Sequence, residues 1–390
     1  MAEVLIAGGA VMGASVAFWL TQLDPALRVT VVEPDPSYAT CSTALSAAGI
    51  RSQFTTEVNV AISRFGIEFI RDFARHTGPA GGIPDLGLRE NGYLFLTRTE
   101  AGAAQLEALA AMQRRLGAAT EVLDRAALSR RFPWMRLDDI VAGAFGPRDE
   151  GFFDNMGLLA GLKNAARAAG AEWLTDRVRG LDRDGDRITA ATLETAGRRP
   201  ADIFVNCAGP RAAGLMRSTG LALPVEPRKR TIFVVDAPQA RHKDAPLIVD
   251  PSGIWMRPEH GQWLAATVPA TDGPCDPEDF TPQSALWEDH VWPALYDRAE
   301  GFAAARVIRE WAGHYAYNTL DQNAIIGRHP LVANLYLANG FSGHGLQQAP
   351  AVGRGVAEQI VHGDWMTLDL SPLGMQRVLD GRPLAEAAIV

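Results

Sequence analysis

Val4-Leu5-Ile6-Ala7 runs without a break into Gly8-Gly9-Ala10-Val11-Met12-Gly13, so a hydrophobic strand meets a glycine turn at the start of the chain. Residues 14–23 continue as an apolar helix, and a second strand, Val29 to Val32, ends in Glu33. This order predicts a βαβ unit that binds a dinucleotide. The turn offers backbone N–H groups to a pyrophosphate, the helix N-terminus adds its positive dipole, and an acid about 20 residues on accepts from the ribose hydroxyls. Gly8 and Gly13 take the first and third glycine positions, while Ala10 takes the second, where backbone and phosphate approach most closely. An acid at position 33 favours an unphosphorylated ribose and argues against NADP. A plain βαβ unit with a tight turn is the competing reading, and it leaves Glu33 unexplained.

Composition narrows the class. A chain of 390 residues, 47% hydrophobic, is expected to form two domains or one elaborated fold, and no apolar run is long enough to span a bilayer. A formal net charge of −8 and the lack of a basic stripe with interleaved aromatics argue against nucleic-acid binding. Cys41, Cys207 and Cys275 are odd in number and far apart, which is neither a disulfide framework nor a zinc pattern and suits a reducing cytoplasm. The eight histidines show no metal-ligand spacing, so no metal is expected. With the first strand so near Met1, no leader peptide is expected either, and the location expected is cytoplasmic.

The first βαβ unit does not continue as a regular βαβ series. Residues 91–97 read as a strand, about 101–116 and 155–169 as helices, and Asp202–Asn206 as a strand ending in Cys207-Ala208-Gly209. From Pro224 to about Arg309 short period-2 strands dominate, at Thr231–Val235, Gly253–Arg257 and Gln262–Thr267, which predicts an antiparallel sheet. A third strand–turn–helix unit follows: Leu335–Ala338, then Asn339-Gly-Phe-Ser-Gly-His-Gly345, then a helix to about Val361. The expected organisation is a discontinuous dinucleotide domain (1–88, 145–222, 312–366), a sheet domain for substrate (89–144, 223–311) and a C-terminal tail (367–390). The Gly340–Gly345 turn is a second nest of N–H donors at a helix start, able to stabilise an anionic reduced flavin ring. Taken alone, it is equally well a tight connection with nothing bound.

Together these segments, with Ser42-Thr43-Ala44-Leu45-Ser46-Ala47-Ala48-Gly49-Ile50-Arg51, resemble the D-amino acid oxidase superfamily of FAD proteins, particularly its sarcosine oxidase-like and glycine oxidase-like members. The runs Ser42–Phe54, Tyr317–Pro350 and Asp369-Leu-Ser-Pro372 resemble a mitochondrial branch tied to respiratory-complex assembly. The resemblance implies an α/β plus antiparallel-β fold, with a Rossmann-like, glutathione reductase-type FAD domain and an inserted antiparallel-sheet substrate domain. It places Gly8, Gly9, Ala10, Val11, Met12 and Gly13 at the pyrophosphate and Glu33 at the ribose. Ser42, Thr43, Ala48 and Gly49 would line the flavin, Val178 the adenine, and Ala208 and Gly209 the far side of the dinucleotide. Gly343, His344, Gly345 and Leu346 would meet the flavin's pyrimidine end. Arg51 matches the arginine that clamps a substrate carboxylate, and a guanidinium fork suits that task.

Three departures from the family pattern bear on mechanism. Gln347 stands where a second carboxylate-binding lysine is expected, so the clamp loses a charge. Arg228, Lys229, Arg230 or Arg257 would have to replace it, although each is expected on a solvated sheet face. His314 stands where those enzymes tether the flavin through cysteine, which implies non-covalent FAD, a histidyl link being the alternative. The strand Gln262–Thr267 places Ala265 where the oxidases carry an oxygen-activating lysine, which implies slow reaction with O2 and another electron acceptor.

The function expected is oxidation of the C–N bond of a small N-substituted amino acid. Its carboxylate would sit at Arg51, a hydride would go to flavin N5, and the iminium would hydrolyse. Tyr93, Trp255, Arg257, His260 and His314 are the candidate wall residues. Two rivals stand beside it. A 2-hydroxy acid dehydrogenase would need a base such as His260 or His314. A low-turnover flavoprotein assembly factor would need none.

Overall fold

The computed structural model describes residues 1–387. The chain opens with β1 (Glu3–Ala7), the helix Val11–Leu23, β2 (Arg28–Glu33) and the short β3 (Gly49–Ile50). β4 (Tyr93–Thr97), β5 (Glu121–Asp124), β6 (Ala142–Gly146) and β7 (Gly151–Phe152) follow, then β8 (Glu172–Thr175) and a meander of β9 (Val178–Asp184), β10 (Arg187–Leu193) and β11 (Gly197–Pro200). Next come β12 (Ile203–Asn206), β13 (Val225–Asp236), β14 (Leu247–Val249), β15 (Ile254–Glu259), β16 (Gln262–Thr267) and β17 (Arg306–Asn318). β18 (Ile325–Arg328) and β19 (Leu335–Asn339) precede the long helix Gly345–His362.

Two large sheets divide the work. The first has the order β18-β19-β12-β1-β2-β8 and is parallel except for β18. Its central strands are buried on both faces, as a covered parallel sheet requires, so β1 and β2 read as unbroken apolar runs. Val4 and Ile6 pack on the helices Val11–Leu23, Asn155–Ala168 and Gly345–His362, while Leu5 and Ala7 face the β9–β11 meander. The second sheet, β17-β13-β16-β15-β14-β4-β6-β5, is antiparallel apart from the β14–β4 pair. One face carries Phe233, Met256, Trp263 and Ala265 into a core closed by Val291 and Leu295. The other presents Tyr93, Ile232, Trp255, Leu264 and Ala266 as a smaller apolar cluster. This two-sheet fold is the α/β plus antiparallel-β class expected from the residue pattern.

Three boundaries differ from those expected. β17 pairs with β13 from Arg306↔Asp236 to Asn318↔Val225, so the division placed at 311/312 falls inside one strand. β6 likewise crosses the division at 144/145. β13 runs for 12 residues, well beyond Thr231–Val235, because its charged stretch is neutralised from outside the sheet. Asp272 binds Arg228 and Arg230, and Asp279 pairs with Lys229. Both acids belong to an irregular strap, residues 268–285, laid over β13 and β17. The tail is part of the fold as well. Leu370, Leu373 and Met375 are buried, and Arg377 binds Asp321 at 2.7 Å. Glu386 accepts from Thr55, Thr56 and Asn59.

Candidate active site

Between the two sheets runs a cavity of about 450 Å³. At its nucleotide end, Gly8 adopts φ +99°, and a Cβ there would lie 2.4 Å from the Cys207 carbonyl oxygen. A Cβ on Gly13 would lie 1.9 Å from the Gly8 carbonyl oxygen, so this glycine sets the close packing of helix on strand. Ala10 caps the helix Val11–Leu23 without any side-chain bond, and the Val11 N–H donates to Thr43 Oγ1 at 3.2 Å. That first turn therefore leaves N–H groups at the cavity wall, which Gly8, Ala10, Val11 and Met12 form directly. The methyl of Ala10 narrows the turn where phosphate would approach.

Glu33 closes the nucleotide site from β2. Gly9 N–H donates to one carboxylate oxygen at 2.8 Å and Asp35 N–H to the other at 3.0 Å, so both oxygens keep lone pairs for ribose hydroxyls. Burial raises its pKa against those two bonds, which lower it. Val178, Ala208 and Gly209 line the far walls, and Arg177 and Arg211 both hold Glu278 of the strap across them. Gly9, Gly13 and Ala48, placed at the cofactor from the sequence, stand behind the wall rather than in it. An uncapped helix start, a glycine turn with no room for Cβ and a doubly positioned carboxylate fit FAD.

The other end is built around Arg51. Its side chain is buried at 3% exposure, its backbone N–H donates to Gln347 Oε1 at 2.7 Å, and its Nη2 meets His344 Nε2 at 3.2 Å. The guanidinium lies 4.3 Å from the Phe54 ring centroid, 5.5 Å from Phe95 and 6.0 Å from Tyr93. Burial pulls its pKa down, but an arginine stays charged under such pressure. Gln347, at the lysine position, thus orients Arg51 instead of adding a charge. Gly49 leaves room for Tyr93: a Cβ there would sit 1.8 Å from the phenol oxygen. Burial pushes the Tyr93 phenol up to about 12, so it remains a donor at neutral pH. Ser42, Thr43, Trp255, Gly343, Gly345 and Leu346 complete this end with Tyr315 and Arg230.

Behind Arg51 lies a carboxylate that nothing in the sequence pattern singled out. Glu150 is 1% exposed and accepts from Ser52 N–H and Gln53 Nε2, each at 2.8 Å. Burial raises its pKa to about 7, opposed by those hydrogen bonds and by Arg51. It pins residues 52 and 53 and so fixes the backbone that presents the arginine.

Several site expectations are corrected here. His260 is at a two-residue hairpin turn with Gly261, both at positive φ, with its ring exposed and paired to Glu259, away from the cavity. Arg257 is buried, donates to the carbonyls of Ala47 and Pro258, and pairs with Glu259, so its charge is spent on structure and it is not a wall residue. Strand alternation turns Ala265 into the opposite core and brings Ala266 to the cavity, so Ala265 is not a wall residue. Arg230, expected on a solvated face, is a cavity wall residue at 6% exposure. His314 does line the cavity, but its Nε2 donates to the Asp279 carbonyl at 3.0 Å and its pKa is lowered, chiefly by burial. Phe54, Tyr315 and the strap acids were missed because they act through long-range packing.

A dinucleotide cleft that opens onto a buried, aromatic-caged arginine, with a parallel sheet on one side and an antiparallel sheet on the other, defines a two-domain flavoprotein oxidoreductase. The chain belongs to the FAD dependent oxidoreductase (DAO) family, whose model matches residues 3–359, and FAD is its cofactor. It is 36% identical over 425 residues to FAD-dependent oxidoreductase domain-containing protein 1 of Xenopus laevis, covering 100% of this chain and 85% of that protein. Among solved structures it is similar to L-proline dehydrogenase from P. horikoshii, with TM-score 0.85, 25% identity and coverage of 98% and 99% of the two chains. Glycine oxidase from Geobacillus kaustophilus shares the fold at TM-score 0.81 and 23% identity, covering 97% and 99%. Among the described residues, no helix is long and apolar enough to cross a membrane, and no group of three His, Cys, Asp or Glu side chains could hold a metal.

Proposed function

We propose that this enzyme oxidises the C–N bond of a small N-substituted amino acid. The observation that carries the reading is Arg51, a permanent charge buried at the reaction end of the cofactor cavity and held by Gln347. A guanidinium fork fixed at the cavity wall offers a substrate carboxylate bidentate, charge-assisted hydrogen bonds. Gly8, Ala10, Val11 and Glu33 would hold FAD, which would supply the hydride acceptor. The chain's own part is to hold and dry the substrate. Arg51 binds the carboxylate, Tyr93 and Trp255 wall the amine, and burial beside cationic groups favours the uncharged amine, so no side-chain base is required. The iminium product then hydrolyses in water.

Oxidation of a 2-hydroxy acid fits less well. It needs a base at the hydroxyl, yet His260 lies outside the cavity and His314 is engaged with the strap. The acceptor we favour is an electron carrier rather than O2, since Ala266 faces the cavity from β16 and Arg230 is matched by Asp272. The test is Arg51→Met beside Arg51→Lys, followed by anaerobic flavin reduction. Loss of the fork should raise the substrate Kd by about 10²–10³-fold in the methionine variant and about tenfold in the lysine variant. Unchanged Kd in both would remove the carboxylate clamp from the account.

A further inference from the structure

The reaction end of the cavity holds two arginines, and the carboxylates among its described wall residues (Glu33, Asp35 and Glu278) all lie at the nucleotide end. The second arginine is Arg230 of β13. Its Nη1 and Nη2 bind the two oxygens of Asp272 at 2.7 and 2.9 Å, and its guanidinium lies 4.9 Å from the Tyr315 ring centroid. Asp272 is shared, for it also accepts from Arg228 Nη1 at 3.1 Å. Arg228 has a second acid, Glu226, at 3.4 Å, so Asp272 is divided between two guanidinium groups of which Arg230 has no other carboxylate partner among the described residues. The Nε of Arg230 is buried and has no hydrogen-bond partner among the described residues. Tyr315, half-buried at the cavity wall, feels the charge of both Arg230 and Arg51.

We infer that Arg230 is a second anion-binding residue and that the substrate is an amino acid carrying two carboxylates, one for Arg51 and one for Arg230. The second carboxylate would share or displace the strap acid that Arg230 holds together with Arg228. A guanidinium fork is suited to this exchange because it offers two edges to planar anions. Placing the substrate between flavin and arginines rests on the amine reading above. The anion site itself does not.

The experiment titrates the yellow holoprotein with inert α,ω-dicarboxylates from oxalate to adipate and with the monocarboxylates of equal chain length, read by perturbation of the flavin spectrum. One dicarboxylate length should bind about 10–100-fold more tightly than its monocarboxylate partner. Arg230→Met should reduce that ratio to within about threefold, with Arg230→Lys intermediate. Asp272→Asn, which frees the guanidinium, should widen it. A merely structural clasp gives a different pattern: both Arg230→Met and Asp272→Asn lower stability and neither moves the ratio. Affinity that climbs evenly with chain length in both series, or an advantage that survives Arg230→Met, would overturn the inference. Dicarboxylate preference in a protein that no amine bleaches would keep this site and sink the amine reading. Oxidation of monocarboxylic amines without dicarboxylate preference would do the reverse.

Discussion

Replacing Glu150 by glutamine should change stability with opposite sign on the two sides of neutrality. Burial raises this carboxyl from 4.5 to about 7. Between those values the folded protein keeps a proton that the unfolded chain has lost, so stability falls as pH rises through the window and is level above it. At about 1.4 kcal/mol per pH unit the window removes on the order of 3 kcal/mol. Glutamine does not titrate. Its carbonyl can accept from Ser52 N–H or Gln53 Nε2 but not both, and the lost bond costs about 1 kcal/mol. At pH 8 the variant should therefore be about 2 kcal/mol more stable than the parent, and at pH 4, below the window, about 1 kcal/mol less stable. For 390 residues, with about 2.1 cal/mol/K of unfolding entropy per residue, these differences move the melting midpoint by about 2–3 °C up and about 1 °C down. Calorimetry of both proteins at saturating FAD and both pH values is the assay, and the difference between them cancels every other titrating group. A variant less stable by the same amount at both pH values would refute the reasoning.

Three further outcomes are expected. Glu33→Ala should raise the FAD Kd by about 10²–10³-fold in titrations of apoprotein, and the parent's FAD affinity should fall as pH drops through the raised Glu33 pKa, since ribose hydroxyls need the ionised acid. Gly13→Ala sets a methyl 1.9 Å from a backbone oxygen, so helix and strand must part; a cost of about 1–3 kcal/mol and a colourless purified protein are expected, read by thermal melting and absorbance. Acid precipitation should leave the yellow colour in the supernatant, because the His314 Nε2 donates to the Asp279 carbonyl and burial raises the thiol pKa of Cys41 and Cys207, the cysteines of the cavity wall, which leaves them weak nucleophiles. A yellow pellet would mean a covalent link.

Much of this fold is legible in the sequence because its signals are local. The Val4–Glu33 unit, the strand Gln262–Thr267 and the turn before Gly345 each declare themselves by periodicity and glycine within a short window. Their meeting in one cavity follows from the family resemblance rather than from any local pattern. What escaped is what depends on partners far along the chain. β13 looks too charged to be a strand until Asp272 and Asp279 arrive from the strap about 40–50 residues on. Arg230 and Arg257 sit on β13 and β15, on either side of β16 in one sheet, and nothing local says which one reaches the cavity and which is bound to Glu259. His260 looks like a base in a list of histidines but is the first residue of a hairpin turn. Ala265 and Ala266 differ by one step of alternation, which a short alignment cannot fix.

The central claim, amine oxidation on FAD under an arginine clamp, is tested most directly by anaerobic mixing of the yellow protein with matched N-substituted amino acids and 2-hydroxy acids, including members with one and two carboxylates. The account predicts that flavin absorbance bleaches with an N-substituted amino acid, and that admitting air restores it slowly. Bleaching by 2-hydroxy acids alone, or by no member of either series, would contradict it.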